Sequence, residues 1–266
     1  MTSQNGIRHS VAIASGKGGV GKSTVAVNLA VALARSGART GLLDADIYGP
    51  SIPMMTGVQQ MPQSRNGKIV PLEAHGLRLM SLGFLMPDGA PTVWRGPMVA
   101  GAIQQFLRDV DWGALDYLLI DLPPGTGDAQ LTLAQSLPLT GVIVVLTPQD
   151  VATQIASKAL GMFQQLKVPI LGILENMSGF VCPHCGTTTP VFKQGGGRRA
   201  SQELGVPLLG EIPLDPLVCR ASDRGEPMVT AHPDSPMAAA FRHAAEAITA
   251  QVAAAAGAGP VIRMDA

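Results

Sequence analysis

No sign of charge dominates this chain: among 266 residues Lys and Arg number 19, and so do Asp and Glu. Aromatic side chains are scarce, with two Trp, two Tyr and six Phe. A nucleic-acid surface needs a basic footprint, and single strands need stacking platforms as well. Both are missing, so nucleic acid is not expected as a partner. Apolar runs fall far short of the ~20 residues that cross a bilayer, and residues 1–10 carry no apolar core of the kind a secretion signal has. The expectation is a cytoplasmic chain with no membrane partner. At this length one α/β domain with ample core is reasonable, and no internal repeat is visible.

What is present begins at residue 16. Gly16-Lys17-Gly18-Gly19-Val20-Gly21-Lys22-Ser23-Thr24 follows an apolar run at 11–14 and opens a helical pattern, the context a phosphate-binding loop requires. Glycines at 16, 18, 19 and 21 let the backbone turn successive N–H groups inward around phosphates, and the following helix aims its positive end at them. Lys22 is expected to neutralise the terminal phosphates and the Ser23 hydroxyl to sit on Mg²⁺. Lys17 is a second lysine that an ordinary loop of this kind does not need, expected to project outward over the phosphate site.

Strand-like runs at 11–14, 40–43, 117–120, 142–146, 170–174 and 208–209 alternate with helical patterns at 23–36, 98–107 and 151–166. This predicts an α/β fold, a mostly parallel sheet with helices on both faces and ligands at the carboxyl ends of the strands. Residues 57–97 read as an irregular insertion with a hairpin turn at Arg65-Asn66-Gly67-Lys68 and an alternating segment at 77–82. Residues 176–193 read as a metal loop and residues from about 255 to 266 as a flexible tail.

Two acidic sites follow strands. In Leu42-Leu43-Asp44-Ala45-Asp46 the carboxylates at i and i+2 allow one to serve the Mg²⁺ shell while the other orients an attacking water. Asp121 closes the apolar strand before Leu122-Pro123-Pro124-Gly125-Thr126-Gly127-Asp128, where prolines and glycines make a poor helix cap but a plausible switch loop for a γ-phosphate. Neither Asn-Lys-x-Asp nor Thr-Lys-x-Asp, the usual guanine reader, occurs, so ATP is the expected nucleotide.

Cys182-Pro183-His184-Cys185-Gly186 carries the remaining chemistry. A redox pair wants its first thiol at a helix N-terminus, and Gly186-Thr187-Thr188-Thr189-Pro190 starts a helix poorly. A structural zinc site needs four ligands, and one chain supplies two here, with His184 facing elsewhere. Cys219 is expected to be buried and inert. A symmetric dimer doubles Cys182 and Cys185 into a four-thiolate set that fits a [4Fe–4S] cluster or a zinc ion on the two-fold axis.

The two-lysine loop resembles the deviant phosphate loops of the dimeric ATPases that include nitrogenase iron protein and the Min and Par positioning ATPases. That loop, Leu42 to Ser51, Val93-Trp94-Arg95-Gly96-Pro97-Met98, Asp121 to Asp128, Glu175-Asn176-Met177-Ser178-Gly179-Phe180 and the Cys182/Cys185 pair together resemble the Mrp-type, ApbC-like iron–sulfur cluster carrier ATPases across roughly residues 8–250. The resemblance implies a homodimer in which Lys17 reaches the nucleotide of the second subunit. It implies a water-positioning Asp46, a magnesium-sphere Asp44, an adenine contact from Asn176, and a labile cluster received from donors and passed to apoproteins. Many bacterial members carry a small extra N-terminal domain, which this chain is expected to lack. A Min- or Par-like switch would want a basic amphipathic C-terminal helix, whereas residues 257–266 carry only Arg263. A zinc-stapled dimeric ATPase without a cluster stays open on ligand count alone.

Overall fold

A computed structural model describes residues 6–46, 49–85, 96–182 and 184–257. In chain order the elements are β1 (Ile7–Ala14), α1 (Lys22–Arg35), β2 (Thr40–Asp44), α2 (Ile52–Thr56), β3 (Ser64–Arg65), β4 (Lys68–Ile69), β5 (Leu72–Ala74) and β6 (Leu77–Ser81). They continue with α3 (Gly96–Asp109), β7 (Leu115–Asp121), α4 (Asp128–Ser136), β8 (Gly141–Leu146), α5 (Asp150–Gln165), β9 (Ile170–Val181) and β10 (Thr188–Thr189). The chain closes with α6 (Gly196–Leu204), β11 (Leu208–Leu214), α7 (Pro216–Asp223), α8 (Met228–Ala231) and α9 (Pro236–Gly257). The motif residues Ile47, Tyr48, Val93, Trp94 and Arg95 lie outside the described residues, as do Pro183 and 258–266 of the tail.

Among the described residues, β11, β9, β8, β1, β7, β2 and β6 run parallel in one sheet, with β5 antiparallel against β6 and β10 antiparallel against the end of β9. Alternation along each strand divides the side chains between two cores. Val11, Ile13, Leu42, Leu119, Ile143 and Val145 face one core with α1 and α9. Ala12, Ala14, Leu43, Leu118, Ile120 and Val142 face the other with α3 and α4. Each fully buried Val, Leu or Ile contributes about 1.5–3 kcal/mol, so covering both faces is what holds the sheet. Helix α1 is buried from Val25 to Leu33, and the alanines at 26, 30 and 32 let it lie close to the sheet.

Two expectations about the elements change. The 77–82 segment is not an excursion: β6 pairs with β2 in register, Leu42 with Leu79 and Asp44 with Ser81. The Asn66-Gly67 turn does form, with φ of +51° and +73°, joining β3 to β4. Strand β9 does not stop near Leu174 but continues to Val181, because β11 pairs alongside it from Ile173 to Phe180.

Candidate functional site

β1 delivers the chain to the sheet's carboxyl edge, and the loop turns there into α1. Gly19 and Gly21 take φ of +79° and +77°, the left-handed region open to glycine. Ser15 Oγ donates to Lys17 O at 3.0 Å, and Gly125 N donates to Ser15 O at 3.0 Å, tying the loop to the Pro123–Gly127 segment. Gly21 caps α1 without a side chain, so the first-turn N–H groups of the helix remain available to an anion.

Parallel pairing brings the acids together. Asp44 and Asp121 are register partners on β2 and β7, and both are buried. Lys22, 6% exposed, places Nζ 2.6 Å from Asp121 Oδ1 and 3.6 Å from Asp46 Oδ2. Asp44 is held from three sides: Oδ1 accepts Asp46 N at 3.0 Å, while Oδ2 accepts Ser81 Oγ at 3.0 Å and Ile52 N at 3.4 Å. Burial, then the nearby Asp121 carboxylate, drives the Asp44 carboxyl well above its usual range. Burial likewise raises Asp121, against the pull of the Lys22 ammonium.

A cavity of about 210 Å³ is lined by the loop from Lys17 to Thr24 together with Asp46, Met55 and Pro124. A second cavity of about 220 Å³ shares Gly21, Thr24 and Met55 with it and extends past Asn176, Met177, Pro213 and Asp215. The first is walled by the backbone of the phosphate loop, and the second lies next to it beyond Gly21. Asn176 lies inside β9, where its Nδ2 donates to Val20 O at 2.8 Å. Lys17 does not stand free over the site: its Nζ donates to Gln149 Oε1 at 2.6 Å.

The two cysteines occupy the tip of a hairpin made by the end of β9 and by β10. Cys182 N donates to Thr187 O at 3.0 Å and Gly186 N to Cys182 O at 2.9 Å, with Gly186 at φ +71°. Cys182 is half-buried; His184 and Cys185 are exposed. The Thr187 hydroxyl is 3.3 Å from Cys185 Sγ, and its hydrogen bond, helped by the Thr187 N–H and by Cys182, holds that thiol below its usual range. Among the described residues no third His, Cys, Asp or Glu joins the pair.

Cys219 corrects an expectation. It is exposed, with Sγ 3.7 Å from Asp223 Oδ2, and lines the second cavity. The short helix α7 buries Ala221 and Ser222, and Cys219 falls on its outer side.

With this geometry in place, the comparison with known families is decisive: the model of the ParA group described as NUBPL iron-transfer P-loop NTPase matches residues 6–249. The chain belongs to that family. An iron–sulfur cluster carrier protein of Deinococcus radiodurans is 53% identical over 249 residues, covering 93% of this chain and 71% of that protein. One from Methanocaldococcus jannaschii is 55% identical over 227 residues, 84% of this chain and 78% of that protein. Among solved structures, a nucleotide-binding protein from Archaeoglobus fulgidus in complex with ADP superposes with a TM-score of 0.75 at 41% identity, over 83% of this chain and 88% of that one. The cell division ATPase MinD of Pyrococcus furiosus superposes at 0.68 with 24% identity, over 91% and 98%, a likeness of fold alone.

For a NUBPL-family NTPase the charges fit nucleotide and Mg²⁺. Two buried carboxylates, Asp44 and Asp121, face one buried ammonium, and Asp121 Oδ2 is buried without a hydrogen-bond partner among the described residues. Among the described residues the buried carboxylates outnumber the buried ammonium, and the donors are oxygens, which suits a hard divalent cation. Ser81 and Gln149 escaped sequence reasoning, and Glu175 was quoted within a motif without a role. Ser81 is recognisable only from its register with Asp44, and Gln149 only from the pairing that sets β8 beside β1. No described helix is long and apolar enough to cross a membrane.

Proposed function

We propose that this chain is an ATP-hydrolysing iron–sulfur cluster carrier that works as a homodimer and passes a labile [4Fe–4S] cluster to apoproteins. The observation that carries the reading is the pairing of a two-lysine phosphate loop with two thiols on one exposed hairpin, a half-set of ligands that a second copy completes.

Each step falls to residues already placed. The first-turn N–H groups of α1 and the ammonium of Lys22 receive the β- and γ-phosphates, so Lys22 exchanges part of its bond to Asp121 for phosphate oxygens. The Ser23 hydroxyl, with Asp44 and Asp121 behind it, would hold Mg²⁺, which would supply neutralisation of charge on those oxygens. Asp46, beside Lys22 at the cavity wall, orients the attacking water. Asn176, on the wall of the adjoining cavity, reads adenine. In the single chain Lys17 is bound to Gln149, so reaching a second subunit's nucleotide requires breaking that bond. Dimer formation is thereby tied to catalysis.

Anaerobic reconstitution with iron and sulfide, followed by iron, sulfide and zinc analysis and an absorption spectrum, tests the reading. One cluster per dimer is expected, abolished by Cys182→Ala or Cys185→Ala and kept by Cys219→Ala, with ATP bound by all three. Full iron and sulfide in the Cys182 variant would reduce the protein to a nucleotide switch. Zinc at the same stoichiometry without sulfide would make the pair a staple rather than a cargo site.

A further inference from the structure

β9 passes the phosphate loop and then becomes the first arm of the cysteine hairpin. Its neighbours Glu175 and Asn176 point to opposite faces of the sheet, as adjacent strand residues must. On one face Asn176 is bonded to Val20 of the phosphate loop. On the other, Glu175, 1% exposed, accepts the N–H of Gly197 at the start of α6. Helix α6 begins where the cysteine segment ends, and its N-cap, Gly195, offers no side chain of its own. Glu175 thus caps that helix from the strand, a favourable place for a carboxylate.

The junction is tightly built. A Cβ on Gly197 would lie 2.8 Å from Glu175 Cβ and 2.9 Å from its Oε2, and one on Gly196 would lie 2.6 Å from Pro148 O. Pro148 precedes Gln149, the residue that holds Lys17. Directly after Asn176 the strand departs from regular geometry: Met177 has φ +59°, and the pairing to β11 shifts between Ile212 and Leu214. Neither nucleotide-sized cavity is lined by Cys182 or Cys185.

We propose that Glu175 is a positioning residue that couples the nucleotide site to the cysteine hairpin. A ligand entering beside Gly21 and Asn176 displaces the carboxyl end of β9, and the bond from Glu175 to Gly197 makes both ends of the cysteine segment follow. This rests on the nucleotide-binding, metal-carrying reading above. It adds that coupling runs through β9 and α6.

The test uses metal-free full chain carrying Cys219→Ser, so that Cys182 and Cys185 are the reporting thiols. Their maleimide alkylation rates are measured with and without Mg-ADP, with light scattering alongside so that rates are compared at equal association state. Mg-ADP should change the rates by about fivefold or more, the lower end for coupling between two sites. Glu175→Ala should cut the change to less than about twofold while leaving ADP affinity in place, whereas Glu175→Gln, which keeps an oxygen for Gly197, should retain it. If Glu175→Ala does not fold, Gly197→Ala, which crowds the same carboxylate, should show the same loss. Undiminished nucleotide dependence in either variant overturns the proposal, as does the absence of any ADP effect in the parent. Because alkylation needs no cluster, failed reconstitution would overturn the carrier reading and leave this result standing.

Discussion

Replacing Gly21 by alanine perturbs two things that can be separated. At φ +77° an alanine pays about 1–2 kcal/mol for the left-handed conformation. Its Cβ would also lie 2.4 Å from Asn176 Nδ2, which would push the amide off Val20 O and leave buried polar groups unpaired, adding about 1–3 kcal/mol. The total is about 2–5 kcal/mol, or a fall in Tm of about 5–15 °C for a chain of this size. Gly19 is the internal control. It sits at φ +79° with nothing within 4 Å of its would-be Cβ, so Gly19→Ala should cost only the conformational part, about 1–2 kcal/mol. Urea titration of both variants, and of Gly21→Ala in an Asn176→Ala background, completes the cycle. Removing the Asn176 amide should relieve about 1–3 kcal/mol of the Gly21→Ala penalty. Equal costs at Gly19 and Gly21, or no relief in the double variant, would refute the packing of Asn176 against the loop.

Lys22→Ala should abolish nucleotide binding by calorimetry and also cost the ligand-free protein about 3–5 kcal/mol, since Asp121 is left as an unpaired buried carboxylate; Asp121→Asn in that background should restore part of it. Lys17→Ala should instead spare binding and lower hydrolysis, and an unchanged turnover would remove the dimer-dependent role. Away from the site, hydrogen bonds from the Arg39 guanidinium, then its backbone N–H, hold the Asp116 carboxyl below the usual range. The stability this provides is complete above the unfolded value near ~3.9 and is lost as pH falls through the lowered folded value. Asp116→Asn should therefore flatten the acid limb of a stability-versus-pH curve, and an unaltered limb would show that the pair contributes nothing.

The phosphate loop and the central strands were legible because their signals are local: a glycine spacing, an apolar run, a helix that follows. The edges were not. Leu77 to Ser81 joins the sheet only by pairing with β2, and its surroundings of turn residues hide it. Residues from 176 onward read as the start of a metal loop, yet β9 runs on to Val181, with β11 pairing at Asn176 and again at Phe180 on either side of an irregularity at Met177. Cys219 was misplaced because hydrophobic company in sequence does not say which side of a four-residue repeat faces out. Glu175 stood in a quoted motif without a role, for its partner, Gly197, is twenty-two positions further along.

The central strand of the sheet precedes its partners in the chain. Ile7 pairs with Leu115 and Val11 with Gly141, so β1 is completed only by strands made much later. At ribosomal speeds the roughly 110 residues between Ile7 and Leu115 take about 5–20 s to appear, and during that time an apolar strand stands without neighbours. The cysteine hairpin, later in the chain than β1, β7, β2 and β8, emerges onto a sheet whose middle has already closed.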